Sequence, residues 1–112
     1  MMKFAIVGSR TFENYDLVKK TLKDLEITEI VSGGAKGADS LAEKYAKENN
    51  IPTKIFKPDW EKFGRAAGMI RNKHIIDYSE KVIAFWDGIS KGTKNSIDHA
   101  KKQGKLLSIV SF

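Results

Sequence analysis

Three arginines and a set of glycine-bearing turns are the residues of this chain best suited to chemistry. Arg10, Arg65 and Arg71 each lie in or beside a glycine-containing segment. The 17 lysines differ, because most of them, such as Lys19, Lys20, Lys44 and Lys101, fall on stretches that read as solvated helix exteriors. A guanidinium presents a planar fork of donors that matches a phosphate or carboxylate, which a lysine cannot reproduce. Eight of the nine glycines form four clusters, namely Gly8, then Gly33, Gly34 and Gly37, then Gly64 and Gly68, then Gly88 and Gly92.

The segment Ser32-Gly33-Gly34-Ala35-Lys36-Gly37-Ala38-Asp39 joins an apolar run to an amphipathic one. Glycines there let the backbone approach a ligand closely and take positive φ. The amides of the following helix's first turn, backed by the helix dipole, suit an anion. The segment Trp86-Asp87-Gly88-Ile89-Ser90-Lys91-Gly92-Thr93 repeats the arrangement. Gly92 and Thr93 open a helix there, and Thr93 serves as a hydroxyl donor to a phosphate, as an N-cap, or as both. Asp87 either accepts from a ribose hydroxyl or a base, or shapes the turn. Gly8-Ser9-Arg10 offers Ser9 and Arg10 to a ligand, with a surface salt bridge as the other reading of Arg10. Arg71 and Asn72 sit in a helix whose Gly64 and Gly68 each cost about 1 kcal/mol against alanine, which implies a packing or ligand reason for them. Trp60 and Trp86 either stack on a base or pack internally.

Other chemistries find no support. No Lys-Ser/Thr follows Gly37, so the first loop is not a Walker phosphate loop. Ser32 replaces the first glycine of the dinucleotide pattern, and Lys54 stands where an acid is expected about 20 positions on. That argues against the usual NAD site, and no cofactor is expected. His74 and His99 lack metal-ligand spacing, so no metal is expected. Ser9 has no histidine partner for a hydrolase triad.

The elements that must carry these turns alternate. Apolar, β-rich runs cover 3–7, 29–32, 53–56, 81–86 and 106–110. Between them, Leu17, Val18, Thr21, Leu22 and Leu25 mark a helical face with Asn14 as N-cap. Ala38, Leu41, Ala42, Tyr45 and Ala46 mark a second. Less regular helices are expected from Gly64 to Asp77 and from Lys94 to Gln103. The order βαβαβαβαβ implies an α/β three-layer sandwich on a five-stranded, mainly parallel sheet. The strand runs are almost continuously apolar, as expected when helices cover both faces. All four glycine clusters then follow strands and gather at the carboxyl edge, where open α/β sheets bind ligands.

At 112 residues and 12.6 kDa the chain is expected to form one domain over 1–112. Its 41% hydrophobic and 30% charged residues exclude a disordered chain. No apolar run approaches the ~18 residues of a membrane helix, and the apolar N-terminal stretch is too short for a signal peptide. The chain has no cysteine, which removes disulfides and thiol chemistry and points to a reducing cytoplasm. A net charge of +6 and a pI near 9.5 favour anionic partners.

Taken together, Gly8-Ser9-Arg10 with Phe12, Ser32 to Asp39, Asp59-Trp60, Ala67-Gly68 with Arg71-Asn72, and Ala84 to Gly88 with Ser90 and Gly92-Thr93 resemble the SLOG (SMF/DprA–Lonely Guy) superfamily. The chain is more closely similar to its YspA/YpsA-related small stand-alone domains. The resemblance implies a Rossmann-like fold, a nucleotide or nucleotide-derived ligand, and frequent dimers, with the Gly64–Arg71 helix as a candidate interface. It also implies a comparison with the Lonely Guy phosphoribohydrolases, whose phosphate loop Pro-Gly-Gly-x-Gly-Thr-x-x-Glu supplies a catalytic Glu. Gly92-Thr93 match that loop and Arg71 looks like the family's assisting Arg, but Ser96 occupies the Glu position. Arg71 and Asp87 are the remaining catalytic candidates, with Asp39 a further carboxylate.

The expected function is therefore binding of a phosphorylated, nucleotide-like small molecule in a sensing or sequestering role. Hydrolysis of the N-glycosidic bond of a nucleoside monophosphate is the alternative. Single-stranded nucleic-acid binding ranks third, because the basic and aromatic residues form no interleaved stripe.

Overall fold

The computed structural model describes residues 2–112. Five strands form one parallel sheet in the order β3-β2-β1-β4-β5. They are β1 (Met2–Gly8), β2 (Ile27–Ser32), β3 (Thr53–Ile55), β4 (Lys81–Trp86) and β5 (Leu106–Ser111). The helices are α1 (Tyr15–Leu22), α2 (Ala38–Glu48), α3 (Trp60–Phe63), α4 (Ala67–Tyr78) and α5 (Lys91–Lys102), with a 3₁₀ turn at Gly64–Ala66.

The period of two along each strand builds two cores. Phe4 and Ile6 of β1, Ile30 of β2, and Ile83 and Phe85 of β4 face Val18 and Leu22 of α1 and Ala38, Ala42 and Ala46 of α2. Ala5, Val7, Val31, Val82 and Ala84 point the other way, onto Ile75 and Ile76 of α4 and Ile97 and Ala100 of α5. Both faces of the central strands are thus covered, which is why β1 from Phe4 to Val7 and β4 from Val82 to Phe85 are apolar at every position. Phe12, in the loop after β1, is fully buried and stacks on Phe85 with ring centroids 4.8 Å apart. That contact folds the loop back over the end of β4.

The chain runs from β1 outward to β2 and β3, then returns to the other side of β1 as β4. The loops after β1 and β4 therefore diverge, and a crevice opens at this reversal of strand order.

Two helices differ from the expected boundaries. The stretch 64–77 is not one helix. Gly64 takes φ +54°, outside the right-handed region, so α3 stops at Phe63 and α4 starts afresh at Ala67. Asp59 caps α3 by accepting from the Lys62 amide. Helix α5 begins at Lys91, one turn earlier than Lys94, and Ser90, not Thr93, is its N-cap. The Ser90 Oγ accepts from the Thr93 amide at 3.4 Å and from the Thr93 hydroxyl at 3.1 Å. Asn14 caps α1 as its sequence position implies, accepting from the Leu17 amide.

Candidate functional site

At the carboxyl edge, beside the end of β1, lies a cleft of about 110 Å³. Gly8, Arg10, Asp39, Arg71, Asn72, Ser90, Gly92 and Thr93 line it, and all were candidates on sequence grounds. Val7, Ala35, Ile75 and Ser96 complete the lining. Val7 and Ile75 form an apolar floor, and their strand and helix patterns mark them only as core. Ser96 drew notice as the residue in the place of a glutamate; it is buried against the cleft. Gly64 and Gly68 do not line the space. Their segment instead delivers Arg71 and Asn72 into it on α4.

Two glycines permit the close approach of these walls. A Cβ on Gly8 would lie 2.5 Å from both Ala38 Cβ and the Phe85 carbonyl. Gly37 takes φ +77°, and a Cβ there would collide with the backbone of Ser9 and Arg10. The start of α2 is thereby wedged onto the loop after β1, and the Ala38 amide donates to the Ser9 carbonyl at 3.3 Å.

Arg71 is held in place before any ligand arrives. Its Nη1 donates to the Gly33 carbonyl at 2.6 Å and its Nε to Asn72 Oδ1 at 2.9 Å. Asn72 Nδ2 in turn donates to the Gly92 carbonyl at 3.4 Å. This chain of bonds spans the cleft from the loop after β2 to the start of α5. It leaves Nη2 without a protein acceptor among the described residues. Burial lowers the Arg71 pKa, the Asp39 carboxylate raises it and the Arg10 charge lowers it, yet a guanidinium stays protonated in proteins. Arg10 is exposed and makes no ion pair among the described residues, so the salt-bridge reading of Arg10 is not what is seen.

Asp39 is the one carboxylate lining the cleft. It is 8% exposed, and its Oδ2 accepts from the Ala35 amide at 3.1 Å. Burial outweighs the Ala35 and Arg71 contributions and pushes its pKa up to about 6. A Cβ on Gly33 would lie 2.6 Å from Arg71 Nη1 and 2.9 Å from Asp39 Oδ2, so only glycine lets both groups flank that backbone.

The other sequence candidates stand behind the lining and shape it. Ser32 is buried, donates to Glu43 at 2.9 Å and accepts from the Gly34 amide at 3.2 Å. Ser9 is buried and accepts from the Asp87 amide at 3.3 Å. Trp86 donates from its indole to the Ser90 carbonyl at 3.0 Å, which ties the ring to the loop. Asp87 shapes the turn: its Oδ1 accepts from the Ile89 and Ser90 amides at 2.8 and 2.9 Å. These bonds hold its pKa below the ordinary carboxylate value. Gly88 completes that turn at φ +83°.

The fold and this crevice define a Rossmann-like α/β protein with its site at the switch point of a parallel sheet. The family model of the YspA, cpYpsA-related SLOG family matches residues 2–63. Gene 61 protein of Mycobacterium phage D29 is 31% identical over 124 aligned positions, covering 100% of this chain and 97% of that protein. The chain belongs to the YspA, cpYpsA-related SLOG family. The uncharacterized SPbeta prophage-derived protein YoqJ of Bacillus subtilis (strain 168) is 42% identical over 40 residues, which is 36% of this chain and 23% of that protein. The crystal structure of DNA processing protein A (DprA) from Streptococcus pneumoniae superposes with a TM-score of 0.82 at 23% identity. It covers 98% of this chain, which spans 50% of the DprA chain. No helix among the described residues is long and apolar enough to cross a membrane.

Proposed function

We propose that the cleft binds the phosphorylated part of a nucleotide or nucleotide-derived small molecule, in a sensing or sequestering role. Family membership and the DprA-like fold support a nucleotide- or nucleic-acid-related role in general. The observation that carries the finer reading is Arg71, tethered by two bonds with a free edge beside Arg10 and the first turn of α5. Preorganised donors around a small polar space favour an oxyanion. The cleft falls below the ~300 Å³ of pockets that enclose a whole drug-sized ligand, so part of the nucleotide lies outside it. Titration calorimetry with inorganic phosphate, AMP and ADP-ribose tests the reading. Micromolar binding of at least one, weakened 100-fold or more in Arg71→Ala, is expected. No binding below millimolar concentration overturns it.

One observation favours a second, enzymatic reading. A single buried carboxyl with a pKa near 6, Asp39, shares the cleft with Arg71 and can take the role that Ser96 cannot. Release of free base from nucleoside monophosphates, lost in Asp39→Asn, supports N-glycosidic hydrolysis, and an inert protein removes it. Self-association belongs to the same proposal. Met69 on α4 and Trp60 and Phe63 on the adjoining α3 are exposed apolar residues. Sedimentation velocity, with Met69→Lys as the disrupting variant, reads it directly.

A further inference from the structure

Asp39 poses a problem that an anion alone does not solve. Its Oδ2 accepts from the Ala35 amide and the Gly33 amide also favours the charged form, but no side-chain donor among the described residues bonds to the carboxylate. No cationic nitrogen lies within 4 Å of the carboxylate, since Lys94–Asp98 is the one ion pair at that range among the described residues. Asp39 lines the cleft with its side chain more than nine-tenths buried, so what enters that space replaces the little water its open oxygen keeps. A phosphate set against it is repelled. The ligand must therefore turn its anionic end toward Arg71, Arg10 and the start of α5, and offer a hydrogen-bond donor to Asp39. An ammonium donor is disfavoured, because Arg10 and Arg71 line the same small space. A neutral hydroxyl, joined to the phosphate by a few bonds, meets both demands.

We propose that Asp39 reads a sugar hydroxyl, so that the cleft selects a ribose-phosphate unit, and hence a ribonucleotide over its deoxy counterpart. The inference rests on the anion-binding reading of the cleft and names the chemistry of its ligand. Ala35 fixes one oxygen and so aims the other, which makes the acceptor directional as well as charged. A site built this way discriminates strongly against an analogue lacking the hydroxyl, because the ligand then covers the acceptor without pairing it.

The test is calorimetry at pH 8 with inorganic phosphate, AMP, 2′-deoxy-AMP and 3′-deoxy-AMP. AMP is expected to bind at least tenfold tighter than one of the deoxy forms. Asp39→Asn keeps an acceptor for Ala35 and removes the charge. It is expected to reduce the preference below threefold while phosphate itself binds tighter. Equal affinity for the three nucleotides, or a preference that survives Asp39→Asn, overturns the inference. If phosphate binding persists and depends on Arg71, the anion reading stands and only this inference falls. If phosphate fails to bind, both fall. A 5′-phosphorylated oligoadenylate against its DNA equivalent separates the sources. A ribose preference lost in Asp39→Asn supports the inference in either case, with the ribose supplied by a strand when the oligomer binds tighter than AMP.

Discussion

The loops after β2 and β4 are built from similar parts and put their aspartates to opposite use. In each, a carboxylate accepts from backbone amides of its own loop: Asp39 from Ala35, and Asp87 from Ile89 and Ser90. Asp39 stands inside the first turn of α2, turned into the cleft, and burial drives its pKa upward. Asp87 precedes α5 on the open side, where two amide donors drive its pKa downward. The residue type is the same, and so is the amide chemistry. The sign of the shift follows from whether desolvation or amide donation is larger. The carboxylate that faces the cleft is thus kept largely out of water, whereas the one that shapes a turn is left wet.

The sharpest way to break this comparison is at the glycines. Gly37 and Gly88 both take positive φ, at +77° and +83°, but only Gly37 abuts another backbone. Gly37→Ala is expected to cost about 3 kcal/mol or more, and Gly88→Ala about 1 kcal/mol. Urea denaturation measures both, and equal losses would refute the wedging of α2 onto the loop after β1. Next in size is Asp39→Asn. The folded-state pKa of Asp39 lies above its ordinary value, so the native chain binds the proton more tightly than the unfolded one. Stability attributable to Asp39 is therefore complete below about pH 4 and falls as pH rises to about 6. The variant is expected to gain about 2 kcal/mol at pH 8 and almost nothing at pH 4, as thermal melts at the two pH values would report.

Ser90→Ala is expected to lose about 1 kcal/mol, because it strips α5 of its cap and leaves the Thr93 amide and hydroxyl unpartnered. A loss twice as large would point to the Trp86 anchor failing with it. The smallest effect belongs to Asp87→Asn, which keeps the acceptor and removes the charge. The depressed pKa of Asp87 contributes stability above the ordinary carboxylate range, and this is lost as pH falls through the folded-state value. Calorimetry is expected to show a slight drop in Tm at pH 7 that shrinks as pH falls below the ordinary carboxylate range. A rise in Tm at pH 7 would place Asp87 in the same class as Asp39 and erase the contrast.

Much of the frame was legible from local pattern. The run at 81–86 is β4 to the residue, and the apolar face beginning at Ala38 is α2. Asn14 caps where its type and position imply. These features depend on alternation, helical period and capping, all of which act within a few residues. The break at Gly64 was harder, because a glycine inside a helical pattern shows its φ only after the chain is placed. The early start of α5 turned on Ser90 outcompeting Thr93 for the cap. That choice is set by where Trp86 and Asp87 fix the loop.

The candidate site divides along the same line. Its glycines and arginines stand out by type, because few other residues allow close backbone approach or forked donation. Val7, Ile75 and Ala35 do not stand out, since lining a cleft and filling a core call for the same apolar residues. The family match ends at residue 63, so Arg71, Asn72 and the start of α5 lie beyond it. Composition and spacing were enough to establish alternating strands and helices with glycine-bearing turns between them, because those properties are local. The strand order, the bond from Arg71 to Gly33 across 38 positions and the dryness of Asp39 were decided by packing alone. Each depends on which distant segments share a boundary with water, and no local pattern encodes that.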